Sequence, residues 1–215
     1  VKPGSNPNFY IQDFSDNTYA GIYVYDNAWN PVLGSEVTIT GKVHEYYGFT
    51  ELIELSDFNI NSGGNNLTIK DISTGDLANG CTATGESLEG MLVRVSNVTV
   101  TQDIIDEYLE WNVNDNSGDC VIDDDMFDGE WLDPAMGQEM ASIVGVVRYA
   151  YSKFRICPRT MNDIELCATC PVADAGDDQC TAPNTQITLD GSGSYDPNGS
   201  IIAHEWQQIG GGTTV

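Results

Sequence analysis

This sequence predicts an all-β protein: two barrel-like copies followed by part of a sandwich-like unit. Three observations carry that expectation. Short runs alternating apolar and polar residues dominate the chain, and no long stretch carries helical periodicity. Part of the chain repeats at a fixed offset. Gly41-Lys-Val-His-Glu-Tyr-Tyr-Gly-Phe-Thr-Glu-Leu-Ile53 reads onto Gly145-Val-Val-Arg-Tyr-Ala-Tyr-Ser-Lys-Phe-Arg-Ile-Cys157, 104 positions on, and Ile60 to Ile164 keeps that spacing. A repeat this long exceeds a solenoid unit and suits a duplicated small domain. Finally, the chain changes character after Cys170, becoming rich in Asp, Gly and Ser.

The elements follow in order. Phe9-Tyr-Ile-Gln-Asp13 and Gly21-Ile-Tyr-Val-Tyr25 are short strands separated by the turn-rich Phe14-Ser-Asp-Asn17. Glu36 to Tyr46 alternates and carries Gly41 in mid-run, which a sharply coiled strand tolerates. Phe49 to Phe58 is the next strand, and Asn61 to Asn66 and Asp71 to Gly85 read as connector. In the second copy Glu89 to Thr101 is a strong leading strand. Glu110 to Asp115 and Cys120 to Asp123 form a hairpin around Asn116-Ser-Gly118. Glu139 to Ala150 is the long Gly-bearing strand, Lys153 to Cys157 returns, and Asp103 to Leu109 has room for a helical turn. Five strands with a coiled first strand and a closing return describe a small Greek-key barrel.

Phe9-Tyr-Ile-Gln-Asp13, Ala20-Gly-Ile-Tyr-Val-Tyr25, Leu88-Glu-Gly-Met-Leu-Val-Arg-Val95 and the ending Cys157-Pro-Arg-Thr-Met-Asn-Asp-Ile164 resemble the OB-fold repeats of secreted bacterial proteins. Such repeats sit beside extracellular nuclease/phosphatase domains or adhesion modules. Pro171 to Gln179, Ile187-Thr-Leu-Asp-Gly-Ser-Gly-Ser-Tyr-Asp-Pro-Asn-Gly-Ser-Ile-Ile202 and Glu205-Trp206 resemble the opening half of a PKD-type, immunoglobulin-like sandwich. The resemblance implies tandem OB-like five-stranded barrels over 1–72 and 86–166, then a partial Ig-like β-sandwich over 171–215. The first barrel departs from the pattern. Val1 to Asn8, with Pro3, Gly4 and Pro7, do not supply the leading strand that Glu89 to Thr101 supply to the second. An open barrel exposes an edge, so a neighbouring chain or an upstream domain of the same protein is expected to close it.

Charge narrows the partners. Eight Lys and Arg stand against 33 Asp and Glu, a net charge of -25. Nucleic acid is held mainly through phosphate neutralisation, so this balance disfavours it. The basic residues Arg148, Lys153, Arg155 and Arg159 are expected to pair with nearby carboxylates. No apolar run is long enough to span a bilayer. Six cysteines beside few lysines suit an oxidising, extracellular compartment. Cys120 and Cys157, in two strands of one copy, are the favoured disulfide. Cys81, Cys167, Cys170 and Cys180 flank domain borders as further disulfide candidates, and the one CxxC lacks the companions of a zinc site.

No nucleophile and base are juxtaposed in sequence, and His44 and His204 are the only histidines, so the chain reads as non-catalytic. Dense carboxylates fit a hard cation. The PKD-type resemblance implies a calcium site at Asp174, Asp177, Asp196 and Asn198, with Asn198 replacing the commoner Asp. A second, irregular loop candidate is Asp115, Ser117, Asp119 and Asp123 to Asp125. Both compete with simple Asx-turns. Phe9, Tyr10, Tyr19, Tyr23, Tyr25, Trp29, Tyr46 and Tyr47 crowd the first copy, either as cross-strand packing or as a platform for a glycan. The resulting expectation is a secreted structural or interaction module, a calcium-stabilised subunit of a surface assembly or filament. The competing expectation is an accessory nucleic-acid- or glycan-binding region of a larger secreted nuclease or phosphatase.

Overall fold

The computed structural model describes residues 8–14, 18–78, 80, 82–104, 108–167, 173–176, 179–182, 185–195, 201 and 203–206. The chain divides into two compact units, Val1–Leu166 and Cys167–Val215. The first is almost entirely strand, as the alternating pattern predicts. It holds β1 (Phe9–Gln12), β2 (Gly21–Val24), β3 (Glu36–Tyr46), β4 (Phe49–Ser62), β5 (Lys70–Asp71), β6 (Leu92–Gln102), β7 (Trp111–Asn114), β8 (Cys120–Ile122), β9 (Glu139–Ala150), β10 (Lys153–Cys157) and β11 (Ile164–Leu166).

The second copy closes on itself. Neighbouring strands run β6-β7-β8-β10-β9, and β9 returns to pair with β6. All pairs are antiparallel except β8 with β10. One long strand can serve both ends of the barrel because β6 bends. Asn97 has a φ of 54°, and the β6–β7 register shifts between Val100 and Gln102. Inside lie Trp111, Phe154, Met91, Ile122, Met140 and Ile143, all essentially inaccessible. Gly145 lets β9 lie against β10, since a Cβ there would stand 2.7 Å from the carbonyl carbon of Cys157.

The first copy repeats this plan with one strand fewer. Its order is β1-β2-β4-β3, with β2 and β4 parallel. Register makes the correspondence residue by residue. Val43 opposes Leu52 as Val147 opposes Ile156, and Val24 opposes Leu52 as Ile122 opposes Ile156. The connecting hairpins match too: Tyr47 and Gly48 have φ of 51° and 83°, Tyr151 and Ser152 50° and 63°. Two consecutive left-handed residues give the type I′ turn that suits strand twist. So β1, β2, β3 and β4 stand where β7, β8, β9 and β10 stand. Among the described residues nothing occupies the place of β6, so four strands stand where the second copy has five.

Backbone and side chain join sheet to barrel. The Tyr19 N–H donates to the Ser87 carbonyl, the Leu92 N–H to Gln12 Oε1 and the Thr50 N–H to Glu89 Oε1. Gly21 meets Gly90 so closely that a Cβ on Gly21 would lie 2.2 Å from the Gly90 carbonyl carbon. Sequence periodicity missed the short strands β5 and β11 and, within the expected connector, the helix α1 (Ala83–Leu88). Six residues are too few to show a helical period. Thr82 caps the helix by accepting from the Gly85 N–H, and burial of Gly85 and Leu88 holds it in place.

Candidate functional site: an open strand position and the cleft beside it

The place of β6 in the first sheet is an unpaired edge. Among the described residues β3 pairs with β4 alone and β1 with β2 alone. Burial shows what the gap costs. Val147 points into the barrel at 0% exposure, while Val43, in the same register position, is 63% exposed. Phe9, Val24 and Phe58 form a small core, and Ile39, Val37, Leu52 and Leu55 reach only partial burial against it. Trp29 stacks on Phe58 with ring centroids 4.7 Å apart, covering one flank. A strand edge with an uncovered apolar row is a template for another strand.

On the outer face of the same sheet lies a cleft of about 880 Å³, bounded on its far side by Asp125, Met126 and Arg148. Tyr10, Tyr23 and Phe49 form its floor, with ring centroids 4.9 to 6.4 Å apart. Burial raises the phenol pKa of Tyr10 and, less completely, of Tyr23, so both remain neutral hydroxyls. His44 Nδ1 lies 2.8 Å from Glu51 Oε1, and the Glu51 carboxylate is buried. Arg148 pairs with Asp125 at the rim. Tyr25 and Tyr46, at 53% and 57% exposure, stand on the open side. Aromatic faces beside neutral hydroxyls and a few charged groups are the equipment of a polar-ligand cleft. Tyr10, Tyr23 and Phe49 pack against one another, while Tyr25, Tyr46 and Tyr47 do face solvent.

Glu89 is the other buried acid of this region. Its Oε1 accepts from Thr50, its Oε2 is buried with no partner among the described residues, and burial raises its pKa to about 7. The isolated glutamate carried no sequence signal. Neither did Glu51, although its equivalence to Arg155 under the repeat marks both as β4/β10 positions.

The loop carboxylates are dispersed. Asp115 accepts from the Thr74 and Ser117 hydroxyls and the Thr74 N–H. Burial pushes its pKa up, but those hydrogen bonds outweigh it and hold it below the usual range. Asp119 accepts from Thr101 and Asn114. Asp123, buried, accepts from Arg155 and from the Asp125 N–H. The structure therefore does not bring Asp115, Asp119 and Asp123 together. Among the described residues no group of three or more His, Cys, Asp or Glu is arranged to hold an ion. Of the other proposed ligands, Asp174 caps a turn through the Gly176 N–H. Asp177, Asp196 and Asn198 lie outside the described residues.

The cysteines correct one expectation. Cys120 and Cys157 are both free and buried. The strands that carry them pair in parallel with Val121 opposite Arg155, which puts the two thiols on opposite faces of the wall. Cys120 joins the main core, while Cys157 packs with Leu92, Met126 and Val146. Burial pushes the Cys120 thiol up to about 12 and raises that of Cys157 as well. Cys180 is free and exposed, so it too is not disulfide-bonded, whereas Cys167 is. Cys81 and Cys170 lie outside the described residues. The arginines pair as expected: Arg155 with Asp123 and Glu110, Arg159 with Asp163, and Arg148 with Asp125.

A family model described as "K319L-like, PKD domain" matches residues 175–215. The C-terminal unit is therefore similar to a PKD-type module, as the Asp190-Gly-Ser-Gly-Ser-Tyr-Asp-Pro string led us to expect. No curated protein and no solved structure matches the chain. No helix among the described residues is long and apolar enough to cross a membrane.

Proposed function

We propose that this chain is a non-catalytic extracellular structural and interaction module, and that its first OB-like sheet is completed by a β-strand from a neighbouring chain in a surface assembly. The contrast between Val43 and Val147 carries the reading: one position in two copies of one plan, uncovered in one and sealed in the other. A PKD-type companion unit and a net charge of -25 accord with an extracellular setting. Hydrogen exchange at the β3 amides that face the open edge and do not bond β4 tests it. They are expected to exchange fast in the isolated chain and slowly in native assemblies. Slow exchange in the isolated chain defeats the reading.

Calcium enters this reading as a stabiliser of the C-terminal unit, through the turn that Asp174 caps. A chelator is expected to lower the melting temperature of that unit, and an unchanged melt removes the cation from the proposal.

The cleft favours a second reading, a glycan-binding role within a larger secreted enzyme. Neutral tyrosines and the His44–Glu51 pair supply stacking faces, donors and acceptors for sugar hydroxyls. Glycan-array binding that disappears in Tyr25→Ala and Tyr46→Ala supports it, and flat binding sinks it.

A further inference from the structure

The duplication specifies the strand the open edge takes. We propose that the occupant, supplied by a second polypeptide, runs antiparallel to β3, presents apolar residues inward at three alternate positions, and places an acidic residue opposite Lys42. This rests on the module reading above and adds the partner's chemistry.

The barrel's own β6 is the template. It runs antiparallel to β9, with Val93 opposite Gly145, Val95 opposite Ile143, and Met91 bonded through its carbonyl to the Val147 N–H at 2.9 Å. Met91, Val93 and Val95 all point inward at 0% exposure. Shifted by the repeat, the inward positions of the occupant face Val43, Gly41 and Ile39. Gly41 offers no side chain of its own, and a Cβ there would meet Leu55 and Leu52 at 2.7 and 2.9 Å, so the occupant's middle residue packs against those leucines. Apolar side chains at alternate positions do this on one face of a strand, and a slip of one residue would turn them all outward.

The outer face distinguishes this occupant from β6. In the barrel, Leu92 opposes Val146 and both sit in an apolar cluster with Cys157 and Met126. In the first sheet the position of Val146 is Lys42, which pairs among the described residues with the exposed Glu54 at 3.5 Å. An acid opposite Lys42 gives a cross-strand ion pair, and Leu there does not.

The source follows from register as well. Phe9 pairs with Val24 as Trp111 pairs with Ile122. Phe9 thus holds the place of Trp111, the first residue of β7. Among the described residues no other segment pairs with β3. The described residues therefore do not supply this strand.

The test uses the 215-residue chain and a synthetic peptide of sequence Met91–Gln102. One-to-one binding by calorimetry, with slowed exchange of the β3 amides, is expected. The peptide carrying Leu92→Glu should bind about two- to fivefold more tightly, the worth of one cross-strand ion pair. Lys42→Glu in the chain should reverse that order. A peptide with Val93→Asp and Val95→Asp, and the chain variant Val43→Asp, should each lose binding at least about tenfold, as a buried unpaired charge demands. If neither Met91–Gln102 nor its Leu92→Glu form binds, or if the Val93→Asp, Val95→Asp peptide binds equally well, the strand chemistry is overturned. The module reading survives that result so long as the edge-facing β3 amides of the free chain, those not bonded to β4, exchange fast. Their protection without peptide overturns both. If a longer form of the same polypeptide protects β3 unaided and refuses the peptide, the strand comes from within one chain, and the second-polypeptide source is overturned.

Discussion

Truncating Val147 and Val43 to Ala in separate variants removes the same two methylene equivalents from corresponding strand positions. Any intrinsic strand preference for Val over Ala is common to both, so the difference between the variants reports burial. At Val147 the exposure is 0% and the neighbours are Met91, Ile156 and the rest of the barrel core. Lost transfer energy of about 0.8 kcal/mol per CH₂ gives roughly 1.6 kcal/mol, and the cavity left by a rigid wall brings the cost to about 2–3 kcal/mol. At Val43 the exposure is 63%, so only about a third of that transfer energy is at stake, roughly 0.5 kcal/mol, with no enclosed cavity. The assay is urea unfolding followed by tryptophan fluorescence. Trp111 and Trp131 report the barrel and Trp29 the first sheet. Intrinsic strand preference cancels only if both variants are read against the same transition, and single-tryptophan backgrounds check that the barrel and sheet probes share one. We expect the Val147→Ala midpoint to fall well below wild type and Val43→Ala to stay within about 0.5 kcal/mol of it. Equal destabilisation at the two positions would mean that something already covers the β3 edge, and the argument from the open strand position would fail.

Three further outcomes follow from the same structure. Glu89→Gln should stabilise the protein by roughly 1–2 kcal/mol at pH 8, a linkage estimate reduced for partial water access. The sign comes from a folded pKa of about 7 above the ordinary 4.5: the folded form keeps a proton that the unfolded chain loses, so this group's stabilisation is full below pH 4.5 and is lost as pH rises to 7. Denaturant midpoints of the variant across pH 4.5–8 should lack that decline, and an unaltered decline would clear Glu89 of responsibility. Asp123→Ala strands the buried Arg155 guanidinium with only Glu110 and the Ala150 carbonyl, and should cost about 3–5 kcal/mol, whereas the Asp123→Leu, Arg155→Met double variant should recover most of it; a double variant as unstable as the single one contradicts the pairing. In the native fold Cys180 should react with a thiol reagent at once while Cys120 and Cys157 wait for unfolding, and mass spectrometry showing early labelling of either buried thiol would contradict their burial.

Much of the fold is legible in the residues because β-barrels write their register into alternation. The match of Gly41 to Gly145 and Tyr47 to Tyr151 marks equivalent strand and turn positions, and the hairpin dihedrals of the two copies agree within a few degrees at those tyrosines. The expectation that Val1 to Asn8 form no leading strand rests on Pro3, Gly4 and Pro7, which lie outside the described residues. The cysteine pairing was not legible, because which face of a wall a side chain takes depends on the register of its neighbour strand. Parallel pairing of β8 with β10 sets Cys120 and Cys157 back to back. The same limit hid the dispersal of the acidic loop. Adjacency along the chain says nothing about Thr74, Thr101 and Arg155, the groups that take up Asp115, Asp119 and Asp123.

By itself, then, the sequence determined the all-β class, the duplication, the excess negative charge and the PKD-like ending, since alternation, spacing and composition are local properties of the chain. Only the tertiary structure decided that Val43 stands open where Val147 is sealed, that a tyrosine-floored cleft forms beside it, and that Glu89 is buried between sheet and barrel. Each of those depends on which strands lie side by side, and burial is a property of neighbours brought together from distant parts of the chain.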